Sequence, residues 1–314
     1  MNLKKFILSA SVALIASFAG AQDLPKEINI AYVKSPFNLQ NIVMKEQKSL
    51  ENEFEKDGIK VNWLDIHSGK QQAVALASRS VDMTAVMNTS SLLMHNAAGI
   101  PLRIATGVSH PTEIFALVGK PGASLTITDL KGKAVAGPKG TILHQLLLAA
   151  LEKEGLKRND VQLQSMPPQS ALAALLSGKV DAALIAAGGI KKAEENGCKV
   201  IATAKGLVDV NLVTVVHKDF ADKYPQLVDR VVSVHRKTLD WILNNWDKAV
   251  DIGAKAHNLD HETADYLAKS SHFYNTLTEK DIEGMNKDQK FLTENGIMKT
   301  PINVKDIILP SALQ

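Results

Sequence analysis

Residues 81–107, VDMTAVMNTSSLLMHNAAGIPLRIATG, contain a complete strand–helix–strand unit. The apolar run at 81–87 predicts a buried strand, and the polar residues after it open a helix. This helix ends at Gly99 and Pro101, because glycine and proline interrupt regular structure. Residues 102–107 are predicted to form the next strand. Strands and helices that alternate in this way are typical of a largely parallel sheet with helices on its faces.

The same alternation continues on both sides of this unit. Further strands are predicted at residues 28–33, 60–66, 133–136, 161–164, 180–186, 199–202 and 211–217. Helices are predicted between them, and the whole region after Pro225 is predicted to be helical. Aromatic residues make up only 5% of the chain, and this scarcity favours strands buried between helices over a β-sandwich. The sequence therefore predicts an α/β fold.

The N-terminus has the features of a secretory signal peptide, predicted at residues 1–21. Lys4 and Lys5 precede a short apolar run, and Ala19-Gly20-Ala21 is a small-x-small cleavage site. We therefore expect an exported, periplasmic protein that is cleaved near Ala21. Cleavage removes two of the 36 basic residues, which leaves 34 against 33 acidic residues. This balance gives no reason to expect nucleic acid or a membrane surface as a partner.

The mature chain is long enough for two lobes. Roughly 290 residues remain after cleavage, more than one compact core usually holds. Lobe 1 is predicted to comprise residues 22–108 and 209–314, and lobe 2 residues 109–208. Because the chain crosses from one lobe to the other and returns, we expect a hinge of two strands.

The candidate binding elements lie where strands lead into helices, since ligands of open parallel α/β sheets bind beyond the carboxyl ends of the strands. These junctions carry Gly and small hydroxyl or amide side chains, most clearly at residues 88–91 and at Gly140-Thr141. Free N–H groups and the dipole at a helix start favour an anion. Ser, Thr and Asn also cap ordinary helices, but their recurrence in both lobes favours binding of a small organic anion.

Signatures of catalysis are absent from the sequence or incomplete. There is no G-x-S-x-G, no G-x-G-x-x-G and no complete P-loop. His261-Glu262 begins like a zinc-protease helix, but residue 265 is Asp instead of His. The single cysteine, Cys198, can form no internal disulfide. We expect no catalytic residues, no metal site and no cofactor.

Five segments, in their order and spacing, resemble the nitrate/taurine group of ABC-importer binding proteins, particularly its aliphatic-sulfonate and taurine members. They are DIHSGKQQAVALASRS (65–80), VDMTAVMNTSSLL (81–93), DLKGKAVAGPKGTILHQLLLAAL (129–151), MPPQSALAALLSGKVDAAL (166–184) and HKDFADKYPQLV (217–228). The resemblance implies a type II periplasmic-binding-protein fold with two lobes of mixed, mostly parallel sheets. It also implies a monomer that closes on its ligand and delivers it to an ABC permease in the inner membrane.

Together, the junctions and the resemblance predict the residues that contact the ligand. They are Phe37, Ser68, Gly69, Asn88, Thr89 and Ser90 in lobe 1, His110 in the crossing segment, and Gly140, Thr141, His144 and Ala186 in lobe 2. Sulfonate and taurine members often have Trp where this chain has Ala186, and its loss leaves room for a bulkier or different ligand. Phe37 either supplies an apolar surface instead or anchors its loop.

Two alternatives stay open at this point. One is an enzyme on the same fold, since pyrimidine-precursor synthases and some menaquinone-pathway enzymes resemble this architecture. Those enzymes act in the cytoplasm, which the predicted signal peptide opposes. The other alternative is an importer binding protein for nitrate, bicarbonate, a heterocycle or an aromatic acid instead of a sulfonate.

Overall fold

The computed structural model of the chain describes residues 24–33, 37–66 and 69–314. The predicted signal peptide at residues 1–21 lies outside the described residues, and so does Ser68 of the predicted site. No helix in the described part of the chain is both long enough and apolar enough to span a membrane.

Within these ranges the chain alternates strands and helices as predicted. The strands are β1 (Glu27–Tyr32), β2 (Lys60–Asp65), β3 (Met83–Asn88), β4 (Leu102–Ser109), β5 (Phe115–Gly119), β6 (Ala134–Gly137), β7 (Gln162–Ser165), β8 (Ala182–Ala186), β9 (Lys199–Thr203) and β10 (Leu212–His217). The helices are α1 (Leu39–Glu46), α2 (Ser49–Phe54), α3 (Gly69–Ala77), α4 (Thr89–Ala97), α5 (Ile142–Lys153), α6 (Pro168–Leu176), α7 (Gly188–Glu195), α8 (Lys218–Lys223), α9 (Pro225–Asn244), α10 (Trp246–His257), α11 (His261–Lys269) and α12 (Glu279–Glu294).

The strands form two five-stranded sheets of the same design. Their orders are β2-β1-β3-β10-β4 and β7-β6-β8-β5-β9. In the first sheet β10 runs antiparallel to β3 and β4, and in the second β5 runs antiparallel to β8 and β9. The other pairings are parallel. The predicted mixed, mostly parallel α/β architecture is therefore confirmed. Below, lobe 1 and lobe 2 denote the first and second sheet with the helices packed on them.

The chain passes between the two sheets twice. It leaves the first sheet after Ser109 and enters the second at Phe115, then leaves the second after Thr203 and returns at Leu212. Ser109 and Leu212 are paired across β4 and β10, so the two crossings start side by side. The lobe boundaries predicted near residues 108 and 208 lie close to these crossings, and the exact division stays a prediction.

The sequence predicts helices after Pro225, the last of them over residues 279–295 with its stop at Gly296, and α12 confirms this helix. After α12 the described chain forms only short 3₁₀ turns at Val304–Ile307 and Pro310–Ala312. Residue Ile308 instead bridges to Ile104 of β4, and Leu309 N–H donates to the Ile104 carbonyl. Because β4 is the edge strand of its sheet, the tail covers backbone groups that would otherwise be unpaired.

Candidate functional site

Two strand–helix junctions of lobe 1 form one surface. Asn88 is the N-cap of α4, and its side chain accepts a hydrogen bond of 2.8 Å from Ser91 N–H. Gly69, at the start of α3, lies against the same turn: a Cβ added to Gly69 would stand 2.6 Å from Ser91 Oγ. Only glycine permits this close approach, so the start of α3 packs directly on the start of α4.

The first turn of α4 is buried and already has protein partners. Thr89 and Ser90 are each 1% exposed. Thr89 N–H donates to the carbonyl of Asn211 at 3.0 Å. Ser90 Oγ donates to Oε1 of Gln145 at 2.7 Å. The donors predicted to bind an anion are therefore engaged within the protein in this structure.

The contact from Ser90 continues through lobe 2 and back to lobe 1. Gln145, in the first turn of α5, donates from Nε2 to Oδ1 of Asp288 on α12 at 2.8 Å. Gln145 is 3% exposed and Asp288 is 4% exposed. We call this chain of three side chains the polar clasp (Ser90, Gln145 and Asp288). Because α4 and α12 belong to lobe 1 and α5 to lobe 2, the clasp holds the two lobes against each other.

Burial raises the pKa of Asp288 to about 7, and the negative charge of Asp209 acts in the same direction. The hydrogen bond from Gln145 opposes this shift. The other carboxyl oxygen, Oδ2, has no hydrogen-bond partner among the described residues. An acid in such an environment holds its proton far above the usual range of pH, so the clasp contains a group that titrates near neutrality.

The candidate loop of lobe 2 is held by its own hydrogen bonds. Gly140 has a φ of 73°, which favours glycine, and its N–H donates to Nδ1 of His144 at 3.2 Å. Thr141 Oγ1 donates to the carbonyl of Pro138 at 3.0 Å. Thr141 is the N-cap of α5 without a side-chain cap, so N–H groups of this helix start are not satisfied by its hydroxyl.

His144 is neutral in the folded protein. Its side chain lies in the first turn of α5 and the residue is 6% exposed. Burial lowers its pKa to about 4, and the positive charges of Lys139 and Arg158 add to the effect. Since Nδ1 accepts the Gly140 hydrogen bond, the proton of the neutral ring is assigned to Nε2.

His110 lies in the first crossing segment, directly after β4. Its ring stacks on Tyr274 with 3.9 Å between the ring centroids, and its Nε2 lies 3.5 Å from Oδ1 of Asp281. Burial lowers the pKa of His110, while Asp281 and a hydrogen bond to the Asn211 side chain act against the shift. Asn211 therefore connects His110 with the start of α4, where its carbonyl accepts the Thr89 N–H.

Phe37 and Ala186 have different surroundings. Phe37 is buried, makes an edge-to-face contact with His257, and packs so closely on α10 that a Cβ at Gly253 would stand 2.6 Å from its ring. This geometry supports the interpretation of Phe37 as a loop anchor. Ala186 ends β8 opposite Phe115 and remains partly exposed.

The junction after Ala186 carries backbone strain. Ala187 has φ 50° and ψ −134°, although it is not glycine, and it is the N-cap of α7. Its N–H donates to the Ile114 carbonyl at 2.8 Å, which ties the junction to the crossing segment. Strained backbone of this kind is often found at ligand-binding positions.

The structure thus brings Gly69, Asn88, Thr89 and Ser90 together and sets them against α5. Sequence reasoning missed Gln145, Asp288 and Asn211. Gln145 had a detectable signal, because it and His144 are the two polar residues in the apolar segment ILHQLLLAAL at residues 142–151. Asp288 and Asn211 had no such signal in the sequence, since their roles depend on contacts between residues about 120 to 140 positions apart in the chain.

Two mixed α/β lobes, joined by two crossings and meeting at the starts of α4 and α5, define a periplasmic-binding-protein fold. More particularly, the chain belongs to the family described as NMT1/THI5 like, whose sequence profile matches residues 52–249.

Individual relatives agree with this assignment. A protein of Bacillus subtilis (strain 168), provisionally named aliphatic sulfonates-binding protein, is 28% identical over 90% of this chain and 86% of its own length. The taurine-binding periplasmic protein of Escherichia coli (strain K12) is 31% identical over 57% of this chain and 56% of its own. The alkanesulfonate-binding protein SsuA from Xanthomonas axonopodis pv. citri, solved bound to MOPS, has the same fold. Its TM-score is 0.81 at 21% identity, over 91% of this chain and 98% of its own.

Proposed function

We propose that this protein is the periplasmic solute-binding component of an ABC importer. It captures a small organic anion of the sulfonate or taurine class between its lobes and delivers it to an inner-membrane permease. The observation that carries the proposal is the meeting of two helix starts across the lobe boundary, where Ser90 of α4 contacts Gln145 of α5. Helix starts favour anions, and the relatives reported above are named as binding proteins for sulfonates or taurine.

The proposed contacts come from both lobes and from the crossing segment. They are Ser68, Gly69, Asn88, Thr89 and Ser90 in lobe 1, His110 in the first crossing segment, and Gly140, Thr141 and Ala186 in lobe 2. The lobes are proposed to open at the crossings, admit the anion and close again as in this structure. A ligand that binds the closed form better than the open form shifts the population toward closure. The protein acts as a monomer with no cofactor.

The ligand class is tested by a thermal-shift screen of the mature chain. The panel contains taurine, methanesulfonate, nitrate, bicarbonate, an aromatic carboxylate and a pyrimidine. A ligand that binds only the folded state raises the melting temperature. We expect the sulfonates to give the largest rise. A response confined to the pyrimidine would contradict the sulfonate proposal and favour the heterocycle alternative.

The double substitution Ser90→Ala/Thr141→Ala tests the position of the site. Each change removes one hydroxyl donor, so we expect the affinity for the best ligand of the screen to fall about tenfold or more. The melting temperature of the free protein is expected to fall as well, because Gln145 loses its hydrogen bond from Ser90. Isothermal titration calorimetry measures the affinity. The matched control Ser177→Ala/Thr128→Ala removes two exposed hydroxyls elsewhere. Equal affinities of the two double variants would place the ligand elsewhere.

Export separates the importer proposal from a cytoplasmic enzyme on the same fold. We expect mass spectrometry of the protein purified from its periplasm to show a mature chain that begins at Gln22. Cytoplasmic protein that retains Met1 as its only form would count against the importer and favour the enzyme.

A further inference from the structure

A groove of about 640 Å³ lies along the seam between the lobes. Lobe 2 lines it from the start of α5 and from β7 with the turn before it, and lobe 1 lines it with the end of α12. We call it the seam groove and define it by Lys139, His144, Leu148, Arg158, Leu163 and Ile297. Its volume falls in the range of about 300–1,000 Å³ that is usual for small-molecule sites.

The seam groove is separate from the polar clasp, although the two are neighbours. His144 and Gln145 follow each other on α5, so their side chains point about 100° apart around the helix. Gln145 turns toward Ser90 and Asp288. His144 turns toward the seam groove. The anion site proposed above and the groove therefore lie on two different faces of the same helix turn.

The charged side chains of the seam groove are cationic, and the amides of Asn159 and Asn295 add both donors and acceptors. His144 Nδ1 accepts the Gly140 N–H, so the proton of the neutral ring is assigned to Nε2, which is left to donate into the groove. Arg158 has five N–H donors, and the carbonyl of Asn295 takes one of them, from Nη1 at 3.0 Å. Lys139 adds an exposed ammonium at the rim. None of the described residues that line the groove is acidic.

The remaining wall of the seam groove is apolar. It consists of Leu147, Leu148, Val161, Leu163 and Ile297. The first four belong to lobe 2, while Ile297 packs with the lobe 1 core around α12. A molecule in the groove would therefore cover apolar side chains with one part and meet cations with another, and it would touch both lobes.

We propose that the seam groove is a second binding site, which takes an amphipathic organic anion. The charged head is held by Lys139, Arg158 and the Nε2–H of His144, and the apolar body covers Leu148, Leu163 and Ile297. Because the seam groove is built from both lobes, its occupant stabilises the closed form and strengthens binding of the anion at the site proposed above. Binding of that anion strengthens binding in the seam groove by the same factor.

The test uses 1-octanesulfonate and methanesulfonate as probes of the mature chain in isothermal titration calorimetry. Lys139→Glu/Arg158→Glu reverses two exposed charges of the groove, and Lys153→Glu/Lys192→Glu makes the same change in net charge outside it. We expect the wild type to bind two molecules of 1-octanesulfonate. The groove variant is expected to lose one of them, with its affinity at least about tenfold weaker, and the control variant to keep both.

Methanesulfonate has the same head without an apolar body, so it is expected to bind at one site only. Its affinity is expected to change no more in the groove variant than in the control variant.

The variant Ser90→Ala/Thr141→Ala separates this proposal from the proposed function. A single 1-octanesulfonate site that disappears in this variant and persists in the groove variant overturns the seam groove alone. A single 1-octanesulfonate site that persists in Ser90→Ala/Thr141→Ala and disappears in the groove variant supports the seam groove and contradicts the anion site proposed at the starts of α4 and α5. Equal losses in the groove and control variants would show unspecific charge attraction and overturn the groove.

Discussion

Asp288 is a carboxylic acid buried in the polar clasp, with a pKa raised to about 7 because burial disfavours its charged form. In the unfolded chain its pKa is 3.8. Between these two values the folded state holds a proton that the unfolded state has lost. The contribution of Asp288 to stability is therefore fully present below pH 3.8 and is lost as the pH rises through 7.

The substitution Asp288→Asn removes this titration and keeps an oxygen that accepts the Gln145 hydrogen bond. We expect the wild type to lose about 2–3 kcal/mol of unfolding free energy relative to the variant between pH 5 and pH 7, at about 1.4 kcal/mol per pH unit. Urea unfolding at pH 5, 6, 7 and 8 measures the difference. The control is Asp229→Asn, an exposed carboxyl on α9. A pH-independent difference between Asp288→Asn and the wild type would show that Asp288 is ionised in the fold.

His144 and His235 act in the opposite direction to Asp288. Burial lowers the pKa of each from 6.5 to about 4. Between those values the unfolded chain binds protons that the folded chain does not. Their contribution is present above pH 6.5 and is lost as the pH falls toward 4. Between pH 4 and 6.5 the stability that the two histidines lose on acidification is therefore opposed by the stability that Asp288 gains.

At the scale of secondary-structure elements, the junction from β8 to α7 is the strained one. Ala187 occupies a backbone conformation at φ 50° that costs a non-glycine residue about 1–3 kcal/mol. Its neighbours Gly188 and Gly189 leave the start of α7 without side chains. A small ligand could approach the backbone there closely, which agrees with the partly exposed Ala186 at the same junction.

Replacing Ala187 by glycine should relieve this strain. Glycine also loses more chain entropy on folding, which costs about 0.4–1 kcal/mol. Because the relieved strain exceeds this cost, we expect Ala187→Gly to be about 1 kcal/mol more stable than the wild type in urea unfolding. The same substitution in the middle of α6, Ala173→Gly, should lose about 1 kcal/mol. Opposite signs for the two variants support the strain. A loss in both would mean that the conformation at Ala187 is relaxed.

At the scale of the whole molecule, the two lobes are held together by few polar contacts. Besides the polar clasp, Lys191 Nζ donates to Thr263 Oγ1 at 2.7 Å and Arg158 Nη1 donates to the Asn295 carbonyl at 3.0 Å. His272 Nε2 also lies 3.3 Å from Oε2 of Glu113. The clasp is the buried one of these contacts, whereas the ion pair is largely exposed. Exposed ion pairs contribute little, so the clasp is expected to govern how readily the lobes separate.

The substitution Gln145→Ala removes both hydrogen bonds of the clasp. Since each is worth about 0.5–1.5 kcal/mol, the equilibrium should shift toward the open form by about fivefold or more. Small-angle X-ray scattering of the ligand-free protein measures this as a larger radius of gyration. The control is Gln162→Ala, which alters an exposed glutamine within lobe 2. Identical scattering from both variants and the wild type would show that the clasp does not control closure.

Much of the fold follows from local patterns. Short apolar runs alternate with amphipathic segments, so every strand except β5 and the helix starts at Thr89 and Ile142 could be placed within a few residues. The grouping of Gly69 with Asn88 was also predictable, because the carboxyl ends of parallel strands meet at one edge of a sheet. The sequence did not predict how the C-terminal tail packs, because its residues pair with the free edge of β4 and no local pattern records that contact.

The amino-acid sequence alone sufficed for the α/β class, for the two crossings between lobes and for the helix starts that could receive an anion, because each depends on neighbouring residues. It could not show that the Ser90 hydroxyl donates to Gln145, that Asp288 is buried and accepts a hydrogen bond from Gln145, or that His144 faces a groove shared by both lobes. Those features arise only when segments more than 50 positions apart pack together. Burial then removes water from polar groups and changes their pKa values and partners, a consequence that a linear pattern of residues does not contain.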